Sequence, residues 1–304
     1  MSTLAAAHEQ RSRYLRGAVF VLAAGLLWST TGTIMRFAPQ LDAWQFLFFR
    51  CIGILAAMNL YGYWQGRGPT LRRILALGPA GAVMTLSWTI AGAGFIFAIK
   101  TTTVANALFF NSCAPLLAAI LGAVLLKEKL SSWSVAMIGL GLGGLAVMVA
   151  GELEAGKLVG NIAALTSALG FAVTTICLRW APSRDFTPAI VSYAALTAAI
   201  CAIITLAAGK SLLVPPFEAL AGFCSGFLFM GLGFALFVRG GPEIPAAGQS
   251  VLAQSETVFG PIWVWLLFAE VPLPTTLLGG AIVLAAVIGM ALAGVGRTTL
   301  PAAR

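Results

Sequence analysis

The sequence predicts an all-α integral membrane protein with ten transmembrane helices arranged as two inverted five-helix repeats. Three observations carry this expectation. Of the 304 residues, 60% are hydrophobic and only 9% are charged, with a mean hydropathy of +0.96; soluble domains average about 45–50% apolar and about 25% charged. The apolar residues gather into ten runs, each close to the roughly 20 residues that cross a bilayer core as a helix. The two halves of the chain also match each other at a nearly constant offset. Composition excludes a soluble globule and a disordered chain, and it excludes collagen because the 34 glycines fall mostly inside apolar runs. Stretches such as Val135 to Ala150 are continuously apolar, whereas strands of a membrane barrel alternate, so the spans must be helices.

The runs follow from their boundaries. The first, 17–37, begins after Arg11, Arg13 and Arg16, and the second, 43–63, follows Pro39 and Asp42 and carries Arg50. The third, 74–99, opens after Arg72 and Arg73 and holds Trp88; the fourth, 102–126, contains Pro115 and stops before Lys127; the fifth, 132–150, is rich in glycine. In the second half, 158–180 ends near Arg179 and 187–208 before Lys210, while 216–238 opens on Pro216 and closes before Arg239. The ninth run, 246–268, carries Glu256 and Pro261, and the tenth, 275–295, is again rich in glycine and alanine. The longest expected loop is Gly62 to Arg73, which leaves no room for a soluble domain. The expected organisation is a tail over 1–16, a repeat over 17–151, a linker over 152–159, a second repeat over 160–294 and a tail over 295–304.

Lysine and arginine placement orients the chain. With a cytoplasmic N-terminus, the inner segments hold Arg11, Arg13, Arg16, Arg67, Arg72, Arg73, Lys127, Lys129, Arg179, Arg184, Arg239, Arg297 and Arg304, and the outer ones hold Arg36, Lys100, Lys157 and Lys210. That is 13 against 4, with Arg50 inside a span, which places both termini in the cytoplasm. The net charge of +8 is then a matter of topology and contact with anionic lipid; loops this small build no surface for a nucleic acid.

The repeat is seen where Met35-Arg36-Phe37-Ala38-Pro39-Gln40-Leu41-Asp42 aligns with Leu178-Arg179-Trp180-Ala181-Pro182-Ser183-Arg184-Asp185 at an offset of 143. At an offset of 142 the stretch ending in Glu128 falls on the one ending in Glu270. Five spans per half is an odd number, so the halves enter the membrane in opposite directions, and Arg36 is expected outside with its counterpart Arg179 inside. Two inverted halves can exchange conformations and open one central site to either side in turn.

Several familiar chemistries find no support. The five cysteines lie inside apolar runs and do not read as a disulfide framework. His8, the single histidine, is in the polar tail, so histidine-ligated metals and serine–histidine catalysis are not expected. Gly151 to Leu158 nearly matches a phosphate-binding loop, but Leu158 cannot ligate magnesium and no strand precedes it. Gly139, Gly141 and Gly144 fit a dinucleotide pattern inside a span, where close helix packing is the better reading. Gly139/Gly143 and Gly222/Gly226 read as packing pairs too. No cofactor, no metal and no enzymatic reaction is expected. Pro115 and Pro261 free backbone carbonyls, either for packing kinks or for gating.

Ionisable groups deep in a span are costly and therefore informative. Glu256 lies near the middle of the ninth run and Arg50 slightly outside the middle of the second. Two readings are open: they form a structural ion pair, or Glu256 faces a water-filled path and meets substrate or a proton. Gln249, Ala253, Glu256 and Gly260 share one helix face, and their counterparts Ala107, Asn111, Ala114 and Ala118 form a face of small residues with one amide. In the first and sixth runs Ala24, Trp28, Thr31 and Met35 answer to Ser167, Phe171, Thr174 and Leu178, each face offering a ring and a hydroxyl. Trp88 is too deep for an interfacial belt. The expected cavity residues are Trp28, Thr31, Trp88, Asn111, Phe171, Thr174, Gln249 and Glu256, with core packing the alternative for the two tryptophans.

Phe97-Ala98-Ile99-Lys100, Ala105, Ala114-Pro115 and Lys127-Glu128-Lys129-Leu130, with Glu256 and Glu270 at similar places in the second half, resemble the EamA-type repeats of the drug/metabolite transporter superfamily. The resemblance covers 17–294. Thr257 stands where the repeat usually has proline, with Pro261 four residues later. The resemblance implies a ten-helix exporter of small metabolites in the bacterial inner (plasma) membrane, working by alternating access as a monomer or weak homodimer, with proton coupling open. Phosphorylated cargo calls for several cavity cations, and Arg50 is the single deep one, so neutral or zwitterionic cargo is expected, aromatic and other apolar amino acids first. Export of drugs or of other metabolites such as nucleosides, and a channel, are the alternatives; a channel would need a filter or charged ring.

Overall fold

The computed structural model describes residues 2–67, 70–125, 127, 130–153, 158–180, 187–243 and 252–298. Among the described residues every regular element is helical, as a backbone that must satisfy itself inside lipid requires. In the first half these are α1 (Ser2–Ser29), α2 (Thr31–Arg36), α3 (Ala43–Trp64), α4 (Thr70–Leu75), α5 (Gly78–Thr101), α6 (Val104–Asn111), α7 (Ala114–Leu125) and α8 (Ser132–Leu153). In the second half α9 (Leu158–Trp180) and α10 (Thr187–Ala207) are followed by α11 (Pro216–Cys224), which runs through a π-helical stretch, Ser225–Gly231, into α12 (Leu232–Gly240). The last two are α13 (Ser255–Phe268) and α14 (Pro274–Thr298). Eight helical stretches among the described residues are long and apolar enough to cross a membrane, and two shorter apolar helices, Ser255–Phe268 and Pro274–Met290, stand in the ninth and tenth runs.

Local chemistry sets several boundaries. The Asp42 carboxylate accepts from the Gln45 backbone N–H at 2.8 Å while the Gln45 side chain accepts from the Asp42 N–H at 3.1 Å, a reciprocal cap that starts α3. The Thr103 hydroxyl accepts from the Asn106 N–H at 3.2 Å and starts α6. The segment expected as the longest loop contains α4, so the third span begins later than its apolar run. The fourth span breaks at Ser112 and Cys113, just before Pro115. The ninth turns at Gln254, which is Ser112 plus the offset of 142. That break stands seven residues before Pro261, which continues inside α13. The turn therefore recurs in the second half although the proline does not.

Packing joins the halves extensively. α5 lies on α9, α1 on α12, α8 on α14 and α3 on both α10 and the π-helical stretch; α6 and α7 meet α9, and α13 meets α1, α2 and α6. A Cβ at Gly226 would collide with the Arg50 carbonyl oxygen, and one at Gly53 with the Phe223 carbonyl oxygen, so α3 and the π-helical stretch touch backbone to backbone. Gly222 approaches Phe49 in the same seam. The other expected pair behaves differently: Gly139 and Gly143 have nothing within 4 Å of an added Cβ, whereas Gly141 meets Leu116 and Gly144 meets Gly279 and Val283. The packed face of α8 is thus rotated away from the one the spacing suggested, because it must follow α14. All five cysteines are free.

Candidate functional site

A series of rings joins the two halves. Trp28 on α1 and Trp88 on α5 are half-buried, and both meet Phe234 of α12, with centroids 5.4 and 5.7 Å away. Trp28 also meets Phe237 at 5.3 Å, and Trp88 meets Tyr193 of α10 at 6.0 Å. Backbone economy makes room for them: the Gly233 position would strike the Trp28 indole if it carried a side chain, and at Gly92 a Cβ would stand 2.9 Å from the Tyr193 hydroxyl. The Trp28 Nε1–H donates to the Met230 carbonyl at 3.3 Å. Met230 lies in the π-helical stretch, a distortion that is frequent at functional sites.

The other expected site residues divide. Asn111 is half-buried and its Oδ1 accepts from the Ser167 hydroxyl at 3.0 Å, tying α6 to α9. Phe171 is half-buried on α9. Thr174 is buried and its hydroxyl donates to the Gly170 carbonyl at 3.1 Å, so it is satisfied within its own helix. Thr31 is buried with its hydroxyl unpartnered. Gln249 lies outside the described residues. Glu256 is half-buried on α13. Arg50, only 1% exposed, carries Nε and Nη2 without hydrogen-bond partners. The two described ion pairs lie elsewhere, and none joins Arg50 to Glu256. The structural pair expected as one reading is not among the described ion pairs, and its two residues stand on helices with different packing partners.

Sequence reasoning missed three parts of the arrangement. Phe234 and Tyr193 link the tryptophans, but single rings within apolar runs carry no distinguishing signal. A buried amide pair was also missed. The Asn106 Nδ2 donates to the Asn161 Oδ1 and to the Thr102 hydroxyl, the latter at 3.1 Å, fastening α6 to α9.

The third is a polar cluster at the end expected to face outward. The Arg36 guanidinium meets the Glu270 carboxylate at 2.9 Å, and the same carboxylate accepts from the Val104 N–H at 2.7 Å. One second-half side chain thereby holds a first-half cation and the start of α6. Lys210 pairs with Asp42 at 2.7 Å, and the Gln45 amide donates to the Ser211 carbonyl at 2.8 Å. Partial burial pushes the Asp42 carboxyl up, but its bonds with Lys210 and Gln45 outweigh that and hold it below its ordinary value of 3.8. The matching of Glu128 with Glu270 was the available signal.

Comparison with known proteins places this arrangement. The model of the EamA-like transporter family matches residues 15–150 and again 158–292. One solved crystal structure superposes with a TM-score of 0.64 at 20% identity, covering 93% of this chain and 98% of that one, a likeness that shows the fold alone. No curated protein matches the chain.

Proposed function

The chain belongs to the EamA-like transporter family, and from that premise we propose that it is an inner-membrane secondary transporter that exports amino acids, aromatic and other apolar ones first. The cargo crosses chemically unchanged, through a site between two inverted five-helix repeats that opens to either side in turn. The observation that carries this reading is the ring series Tyr193, Trp88, Phe234 and Trp28, drawn from four spans of both halves and left partly accessible at its tryptophans. Such a surface takes a planar apolar group by stacking and edge contact.

The helix pairing supports the inverted architecture. Exchanging first-half and second-half spans turns the α5/α9 contact into that of α12 with α1. The same exchange turns the contacts of α6 and α7 with α9 into those of α13 with α1 and α2, and it leaves α8/α14 and α3/α10 unchanged. That symmetry and the distribution of lysine and arginine support a reading of ten spans with both termini cytoplasmic.

Counterflow in proteoliposomes tests the function. Labelled phenylalanine accumulating transiently against internal unlabelled phenylalanine, and saturating, is the expected result. Linear, non-saturating flux marks a pore instead, and uptake of nucleosides with no phenylalanine uptake marks a different cargo.

A further inference from the structure

The connection between α3 and α5 is short and basic. From Gly62 to Gly78 it carries Arg67, Arg72 and Arg73 and no acidic residue. α3 ends in a turn at Gly66, whose φ of 64° costs glycine little. The Arg67 N–H donates to the Gly62 carbonyl at 3.1 Å and the Gly66 N–H to the Tyr63 carbonyl at 2.9 Å, the paired closure of a Schellman end. That turn brings Arg67 back over the helix end, where its Nη1 donates to the Thr187 hydroxyl at 3.4 Å. Arg73, on α4, returns to the same helix end: its Nη1 stands 3.8 Å from the position of a Cβ at Gly62. α4 packs on α10, with Ile74 against the core and Arg72 exposed.

The apolar side chains of this connection are open as well. Tyr63, Trp64 and Leu75 are 84%, 79% and 74% exposed, the first two at the end of α3 and the third at the end of α4. Rings and a leucine left open at a span end among arginines match the boundary of a bilayer, where rings sit at headgroup level and guanidinium groups meet anionic lipid. The opposite end differs, since its cations Arg36 and Lys210 are matched by Glu270 and Asp42. A guanidinium takes phosphate oxygens in pairs, but free phosphate would leave the rings uncovered. We propose that the α3–α5 connection is a binding surface for an anionic phospholipid, with Arg72 and Arg73 on its headgroup and Tyr63, Trp64 and Leu75 along its apolar part. The lipid belongs to the leaflet at this end, the one the lysine and arginine distribution leads us to expect inside. Because Arg67 bonds to Thr187 and α4 packs on α10, it lies over a junction of the two halves.

The test uses the full chain in detergent, titrated with phosphatidylglycerol or with phosphatidylcholine of the same acyl chains and read by native mass spectrometry. Wild type is expected to hold phosphatidylglycerol at least about tenfold more tightly, as arginines beside one anionic headgroup predict. Arg72→Ala should weaken that binding by about fivefold. Arg16→Ala removes one exposed charge from α1, which packs on α12 and α13, and should change it by less than about twofold, since the headgroup is held by contact and not by the overall charge of this end. Retention of the two lipids within about twofold of each other overturns the proposal. An equal loss in Arg72→Ala and Arg16→Ala overturns it too, because it marks diffuse attraction to a positive end. So does displacement of phosphatidylglycerol by inorganic phosphate that chloride of equal ionic strength does not produce, which marks a site for a free anion. Should Arg72→Ala fail to fold, the wild-type lipid comparison and the phosphate competition still decide. None of these results depends on the identity of the cargo.

Discussion

Trp88 touches rings from two other helices, Tyr193 and Phe234, so its truncation opens the ring series at its middle. Trp88→Ala is expected to raise the KM for phenylalanine by about tenfold or more, and Trp88→Phe to recover most of the loss, as an aromatic contact of about 0.5–1.5 kcal/mol with its buried area predicts. Concentration-dependent counterflow measures both. Asp42 gives a pH dependence of known sign. Its folded carboxyl sits below 3.8, so the stabilisation is present above the unfolded value and disappears as pH falls through the lower folded one. Thermal unfolding in detergent should show Asp42→Asn less stable than wild type at neutral pH, with the difference gone once the wild-type carboxyl is protonated. At this level the legible residues were those out of keeping with their surroundings. Trp28, Trp88, Arg50 and Glu256 stood out because tryptophan and charge are unusual deep in a span. Phe234 and Tyr193 did not, because one ring among 19 phenylalanines and 4 tyrosines acquires meaning only from what it packs against.

Glycine spacing shows the same limit for whole elements. Gly222/Gly226 and Gly139/Gly143 have identical spacing, yet the first pair lies in a seam and the second has open space. Helix rotation, fixed by partners far along the chain, decides which. The consequence is measurable as opposite effects. Gly226→Ala forces a methyl against the Arg50 carbonyl, backbone that cannot step aside, and should destabilise by about 1–3 kcal/mol. Gly139→Ala meets nothing and should be neutral or stabilising by up to about 1 kcal/mol through helix propensity. Thermal unfolding of the two variants in the same detergent checks the pair. The span boundaries were legible from apolar length and capping chemistry, as at Asp42 and Thr103. The π-helical stretch and the turn at Thr30 between α1 and α2 were not, since both arise from packing and have no residue signature of their own.

The polar cluster around Glu270 bears on the molecule as a whole. Glu270 grips Arg36 and the N-terminus of α6, and the rings of Phe37 and Phe268 close beside it at 5.0 Å, so at this end the two halves are drawn together. In an inverted pair of repeats, closing one end goes with opening the other, and a ligand that favours the closed arrangement must shift the whole equilibrium toward it. This coupling is the central claim, and it can be measured directly. In a chain whose native cysteines have been replaced, a Phe37→His and Phe268→His pair supplies a zinc bridge across this end, the one the lysine and arginine distribution leads us to expect outside, and Asn111→Cys reports access to the interior. Zinc is predicted to stop labelling of the Asn111 position by an impermeant thiol reagent from the outer face and to raise it from the cytoplasmic face, with a chelator reversing both. Loss of outer labelling with cytoplasmic labelling unchanged or reduced would contradict the account, since it would mean that the two ends open independently.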